Sequence, residues 1–221
     1  MELLIAALVL GIIHGLGSDH LVAVATYVSG DPRPGKAVGF AVRFALGHLG
    51  TLLILGLIGI AVGLEIGPGL QTGLEGLNGL LLAGLGAWLL VDYLRGGLHG
   101  HTHDHGGEAH SHMHYHEHLD SHQHVHGLRG VTAVGALFGL SGLRSLLLVT
   151  PLAGSVSPWF LPLLAVGFAG GIIASMASYA WVASLTYRRA AGGYPLAVRA
   201  ATGLFALGFG LFWARGLLLG V

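Results

Sequence analysis

Residues 11–20 read Gly11-Ile12-Ile13-His14-Gly15-Leu16-Gly17-Ser18-Asp19-His20. The stretch lies inside an apolar run over 3–28, so two imidazoles and a carboxylate sit where hydrocarbon penalises them. Such groups in a membrane segment usually mark an ion or substrate path. On a regular helix His14 and His20 point about 120° apart, and Asp19 projects elsewhere again. One straight helix therefore cannot aim all three at one ion. Gly15 and Gly17 relax the backbone, and a helix broken inside a membrane is tolerated where it lines a site. The motif thus predicts a first helix broken at His14–His20. The plainer alternative is a buried His14 bonded to a neighbouring carbonyl, with Asp19 and His20 as a structural pair. Three such groups within seven residues favour the site.

Composition supports the membrane setting. The chain has 221 residues, of which 53% are hydrophobic and 9% charged, with a mean hydropathy of +0.75. Soluble domains carry about 25% charged residues. The 39 glycines suit helices packed closely in lipid. With no cysteine, disulfides, iron–sulfur clusters and thiolate metal sites are excluded. Zero formal net charge and no basic patch give no sign of nucleic-acid binding. Imidazole with carboxylate and no sulfur is a ligand set for Ni2+, Co2+ and Zn2+. The N-terminus lacks the basic flank and short apolar core of a signal peptide and reads as a retained helix.

The fold class expected is an all-α polytopic membrane protein of six transmembrane helices. The spans read as 3–28, 37–64, 76–94, 130–150, 159–187 and 196–219, each near or above the ~20 residues that cross a bilayer. Arg33, Lys36, Arg95, Arg129, Arg188 and Arg189 fall on one face; Glu2, Glu65 and Glu75 fall on the other, with Arg215 as the exception. The positive-inside rule makes the first face cytoplasmic. Both termini are then expected outside and the polar insert inside, in the plasma membrane.

Three weak matches in the same order suggest a 3+3 inverted repeat, an architecture that recurs in secondary transporters. Gly11, His14, Gly15 and His20 align with Gly135, Phe138, Gly139 and Arg144; Gly47-His48 aligns with Gly167-Phe168; Gly79, Gly84 and Gly86 align with Gly203, Gly208 and Gly210. The domains expected are a first three-helix repeat over 1–95 carrying the metal motif, a His-rich cytoplasmic loop over 96–129, and a second three-helix repeat over 130–221. Ligand character is confined to the first half. This links His48 to the His14–His20 cluster, although a lone His48 would more often be a packed core residue. Arg144 is a candidate gating or counter-charge residue, with snorkelling toward an interface as the plainer reading.

The insert holds 12 of the 15 histidines, mostly in His-x-His steps: His99, His101, His103, His105, His110, His112, His114, His116, His118, His122, His124 and His126. The step of two fits no helix, and the segment has few large apolar residues, so disorder without metal is expected. Neutral imidazole binds Ni, Cu, Zn and Co, which makes the insert a candidate metal-capture loop. A merely hydrophilic linker is the alternative.

His14-x4-Asp19-His20 in the first span resembles the signature of the nickel/cobalt transporter family, and Phe44-Ala45-Leu46-Gly47-His48 resembles its second block, which ends in a Gly-His pair. The chain departs from that block at Leu49-Gly50, where a small hydroxyl residue is usual. The resemblance implies a permease for Ni2+ or Co2+, with His14, Asp19, His20 and His48 at the metal path. Uptake members of the family have eight spans with the signature in the second, and this chain looks as if it begins there. The six-span form with a His-rich cytoplasmic loop is also similar to the family's exporters.

The function expected is therefore transport of divalent transition-metal ions, Ni2+ or Co2+ foremost and Zn2+ as a further cargo. No permanently bound cofactor is expected. The partners expected are metal ions and the lipid bilayer, with a homo-oligomer left open. Uptake is slightly favoured over efflux because the membrane potential draws cations inward. An enzyme is disfavoured, since no His-Glu-x-x-His pair and no further buried carboxylate base is evident. A membrane-anchored metal sensor or storage protein would leave the His14–His20 cluster unexplained.

Overall fold

The computed structural model describes residues 1–62, 67–94, 99–104, 109–114, 128–142, 157–191 and 195–219. Within them the chain forms α1 (Glu2–Gly15), α2 (Ser18–Gly30), α3 (Pro34–Val62), α4 (Pro68–Leu94), a two-stranded hairpin of β1 (His99–Asp104) and β2 (Ala109–His114), α5 (Leu128–Ser141), a 3-10 turn (Pro158–Phe160), α6 (Leu161–Ala191) and α7 (Pro195–Leu219).

Six spans are not what these residues form. Four helices, α3, α4, α6 and α7, are long and apolar enough to cross a membrane, and α1 with α2 makes a fifth span if the bent pair counts as one. Of the expected fourth span over 130–150, residues 143–150 lie outside the described residues. Its described helix, α5, has 14 residues and so rises only about 21 Å, short of a hydrocarbon core of about 30 Å. Among the described residues, the expected six-helix, 3+3 arrangement gives way to four long helices and one bent pair. The all-α expectation is compatible with these helices, beside which the insert adds one short hairpin. Antiparallel pairing sets His99 opposite His114, His101 opposite His112 and His103 opposite His110. The His-x-His step that fits no helix has the period of a strand. Segments of the insert expected to be disordered are thus paired. His105, His116, His118, His122, His124 and His126 lie outside the described residues.

The long helices show large apolar side chains outward: Leu57, Val166, Leu204 and Phe205 are each at least 60% exposed. A water-soluble monomer rarely exposes contiguous apolar surface on this scale; in a membrane it faces lipid tails. The chain is a multi-pass membrane protein. Burial is confined to stripes of helical period. In α3 the stripe is Ala37, Ala41, Phe44, Ala45, His48 and Leu52; in α6 it is Leu164, Phe168, Ile172, Met176 and Ala180. His48 therefore occupies a position of the kind its neighbours fill with alanine or leucine.

Helices pack in close pairs, α1 with α6, α3 with α5, and α4 with α7. Glycine permits the approach, because backbone meets backbone where a side chain would stand. A Cβ at Gly11 would strike the Phe168 carbonyl, and one at Gly135 the Phe44 carbonyl. At the turn between α2 and α3, Arg33 donates to both carboxylate oxygens of Asp31, at 2.6 and 2.5 Å. These hydrogen bonds, with the nearby Lys36 ammonium, hold the Asp31 carboxyl below its usual range.

Candidate metal centre

The break that the motif predicts lies between Gly15 and Ser18, where α1 and α2 meet at 55°. Leu16 and Gly17 join them. The Gly17 amide donates to the His14 carbonyl at 2.9 Å, which closes the end of α1. Gly17 is required for lack of room: a Cβ there would stand 2.8 Å from Asp19 Oδ1 and 3.2 Å from His20 Nδ1. Gly15 lets α6 approach, since a side chain would collide with Ser175 Oγ.

The bend removes the angular conflict of a straight helix. His14, on the last turn of α1, and His20, on the first turn of α2, both reach His48 on α3. His14 Nε2 lies 3.0 Å from His48 Nε2, and His20 Nε2 lies 3.3 Å from the same atom. Ligand atoms of the three residues all fall within 4.8 Å of one another, a spacing that can hold a metal ion. Tetrahedral coordination with metal–nitrogen bonds of about 2.0–2.1 Å sets ligand nitrogens roughly 3.3–3.4 Å apart. His20 and His48 are buried, and His14 is partly buried.

Asp19 stands behind the cluster. His20 Nδ1 donates to Asp19 Oδ1 at 2.8 Å, which turns Nε2 of that ring toward His48. A carboxylate on the far nitrogen of a ligating imidazole is a recurrent arrangement in metal sites, where it sets tautomer and ring orientation. Asp19 also lies in the first turn of α2, where a negative charge complements the positive end of the helix dipole. The structure thus brings His14, His20 and His48 to one point and places Asp19 one step behind His20. Arg144 lies outside the described residues.

One residue of the site is missing from the sequence reading. Asn78, on α4 and 4% exposed, donates from Nδ2 to Asp19 Oδ2 at 3.0 Å. The signal available was a single amide in an otherwise apolar span, weak because such residues often serve helix packing alone. Aromatic rings close the surroundings. Phe168 lies 5.6 Å from the His14 ring, Phe44 stacks on His48 at 6.4 Å, and Phe138 packs on Phe44 at 5.3 Å. His48 Nδ1 is buried with no hydrogen-bond partner among the described residues.

No family model matches the chain, and no solved structure matches it. It is 26% identical over 155 residues to the urease accessory protein UreH of Bacillus sp. (strain TB-90). The match covers 68% of this chain and 62% of that protein, so the chain spans less than two thirds of its relative's length. At this identity the two are distant relatives. The chain is thus a multi-pass membrane protein with a cluster of three histidines, two of them buried, at a helix break, and it is similar to a urease accessory protein.

Proposed function

We propose that the protein carries divalent transition-metal ions across the membrane, Ni2+ or Co2+ foremost and Zn2+ as a further cargo, with Nε2 of His14, His20 and His48 as the ligands. One observation carries the reading: three imidazole nitrogens converge, at 3.0 and 3.3 Å, beside a break in a membrane helix. The donor chemistry is all nitrogen, which suits borderline metals over Mg2+ or Ca2+. The aromatic walls exclude water, so an arriving ion exchanges hydration for imidazole. The C-terminal end of α1, where His14 sits, is the negative end of its dipole and favours a cation.

Asp19 serves this site by holding His20 in its ligating tautomer. The histidines of the insert, His99, His101, His103, His110, His112 and His114 of the hairpin among them, serve as a metal-capture segment on the cytoplasmic side. Uptake is the favoured direction. A dication entering down a potential of 100 mV, inside negative, gains about 4.6 kcal/mol without other coupling. Efflux through the same site is the second reading, favoured by the histidine-rich insert, which would gather ions for export equally well.

The test is ion flux in proteoliposomes whose orientation is established by labelling single cysteines placed at Ser111. Ni2+ and Co2+ are expected to move and Mg2+ not, with flux lost in His14→Ala, His20→Ala and His48→Ala proteins that still purify as folded species. Normal Ni2+ and Co2+ flux in the His48→Ala protein would overturn the assignment.

A further inference from the structure

We propose that Asn78 is a specificity-determining positioning residue: it keeps the Asp19 carboxylate out of the ion's coordination sphere and so keeps the site all-imidazole. The inference rests on the transport reading above and adds a residue and a selectivity to it.

The geometry is a chain of contacts across three helices. Asn78 Nδ2 on α4 donates to Asp19 Oδ2 at 3.0 Å. Asp19 Oδ1 on α2 accepts from His20 Nδ1 at 2.8 Å. His20 Nε2 then faces His48 Nε2 on α3. Asn78 presents nitrogen and not oxygen to Asp19, since an acceptor facing a carboxylate would repel it. Both oxygens of Asp19 are thereby engaged on the side away from the cluster. Without Asn78, Oδ2 would have no hydrogen bond from α4, and the carboxylate could turn about its own side-chain torsions toward an ion beside His20.

That turn would change the chemistry of the site. Three neutral imidazoles favour Ni2+, Co2+ and Zn2+, whereas a carboxylate oxygen favours harder ions such as Mn2+. A single amide hydrogen bond thus separates a nitrogen-only site from a mixed nitrogen–oxygen one. The position of Asn78 is itself well held. It is buried, and the adjacent Gly79 draws α7 against α4, where a Cβ would stand 2.6 Å from the Gly210 carbonyl. Among the described residues Asn78 Oδ1 makes no hydrogen bond, and the bond from Nδ2 to Asp19 holds the side chain.

The experiment uses full-length protein purified in detergent and reconstituted, with Asn78→Leu, which removes the donor, and Asn78→Asp, which keeps the shape and replaces the donor with an acceptor. Direct Ni2+ titration is expected to show affinity lowered about tenfold or more in both. The ratio of Ni2+ to Mn2+ flux should fall, and the visible absorption bands of bound Co2+ should shift as an oxygen donor enters. A purely structural Asn78 would lower thermal stability and leave the Co2+ spectrum and the flux ratio unchanged; that result, in whichever variant folds, overturns the proposal. His48→Ala separates this failure from failure of the transport reading. Loss of Ni2+ binding there with wild-type selectivity in both Asn78 variants sinks the Asn78 role alone. Retained binding in His48→Ala sinks the three-histidine site and this inference with it.

Discussion

Gly17 is where the site is least forgiving. Its missing side chain leaves space for Asp19 Oδ1, the His14 carbonyl and His20 Nδ1, all within 3.2 Å of where a Cβ would stand. Gly17→Ala should therefore leave the protein folded but displace the Asp19–His20 pair, lowering Ni2+ affinity by about tenfold, as loss of an outer hydrogen bond does at other metal sites. Gly15→Ala acts on packing instead, because its Cβ would meet Ser175 and the Ile172 carbonyl on α6; its effect should appear chiefly in thermal stability. Calorimetric Ni2+ titration beside a melting curve separates the two, and equal affinity in Gly17→Ala and wild type would count against the role given to the break. His48 was legible only as a candidate, because a buried histidine in an apolar stripe reads as core until its neighbours are known. Asn78 was not legible, since what distinguishes it from a packing amide is a partner 59 residues away.

Among the elements, α4 and α7 are joined by an ion pair as well as by glycines. Arg199, 3% exposed, donates to the Asp92 carboxylate. Breaking a buried pair on one side leaves an uncompensated charge, which costs about 3–5 kcal/mol, whereas replacing both partners by apolar residues is often neutral. Asp92→Ala should lower the melting temperature in detergent sharply, and the Asp92→Ala, Arg199→Met double variant should recover most of the loss. A single variant as stable as wild type would show the pair to be dispensable. Asp92 reads in sequence as a residue at a membrane edge, and Arg199 carries no sequence mark at all. Their pairing depends on how α7 lies against α4. The broken first helix was legible, because two glycines among three polar groups admit few other backbones. The strand pairing of the hairpin was not: the His-x-His step excludes a helix, but which residue faces which depends on the partner strand.

For the whole molecule, the described side chains of the site all stand on helices and none on the hairpin. The contacts of the site come from α1, α2, α3 and α4, with Phe138 of α5 and Phe168 of α6 beside them. Deleting residues 99–126 should therefore leave measurable flux and change its metal dependence. The contribution of the insert should fade below about pH 6, where imidazoles are protonated and no longer ligate. Flux measured from pH 5 to 8 in the intact and deleted proteins checks this. Complete loss of flux in a folded deletion protein would place the insert in the path.

The sequence by itself determined that this is a membrane protein, that its first helix breaks within the His14–His20 motif, and that histidine is its dominant candidate ligand. Each is a local property, of composition, of glycine beside costly polar groups, or of residue type. Only the tertiary structure decided that the long helices among the described residues number four with one bent pair, that Asp19 supports His20 from behind while three imidazoles face one another, and that Asn78 completes the arrangement. Those depend on distances between segments far apart in the chain, set by which glycines let which backbones meet, and hydropathy carries no record of them.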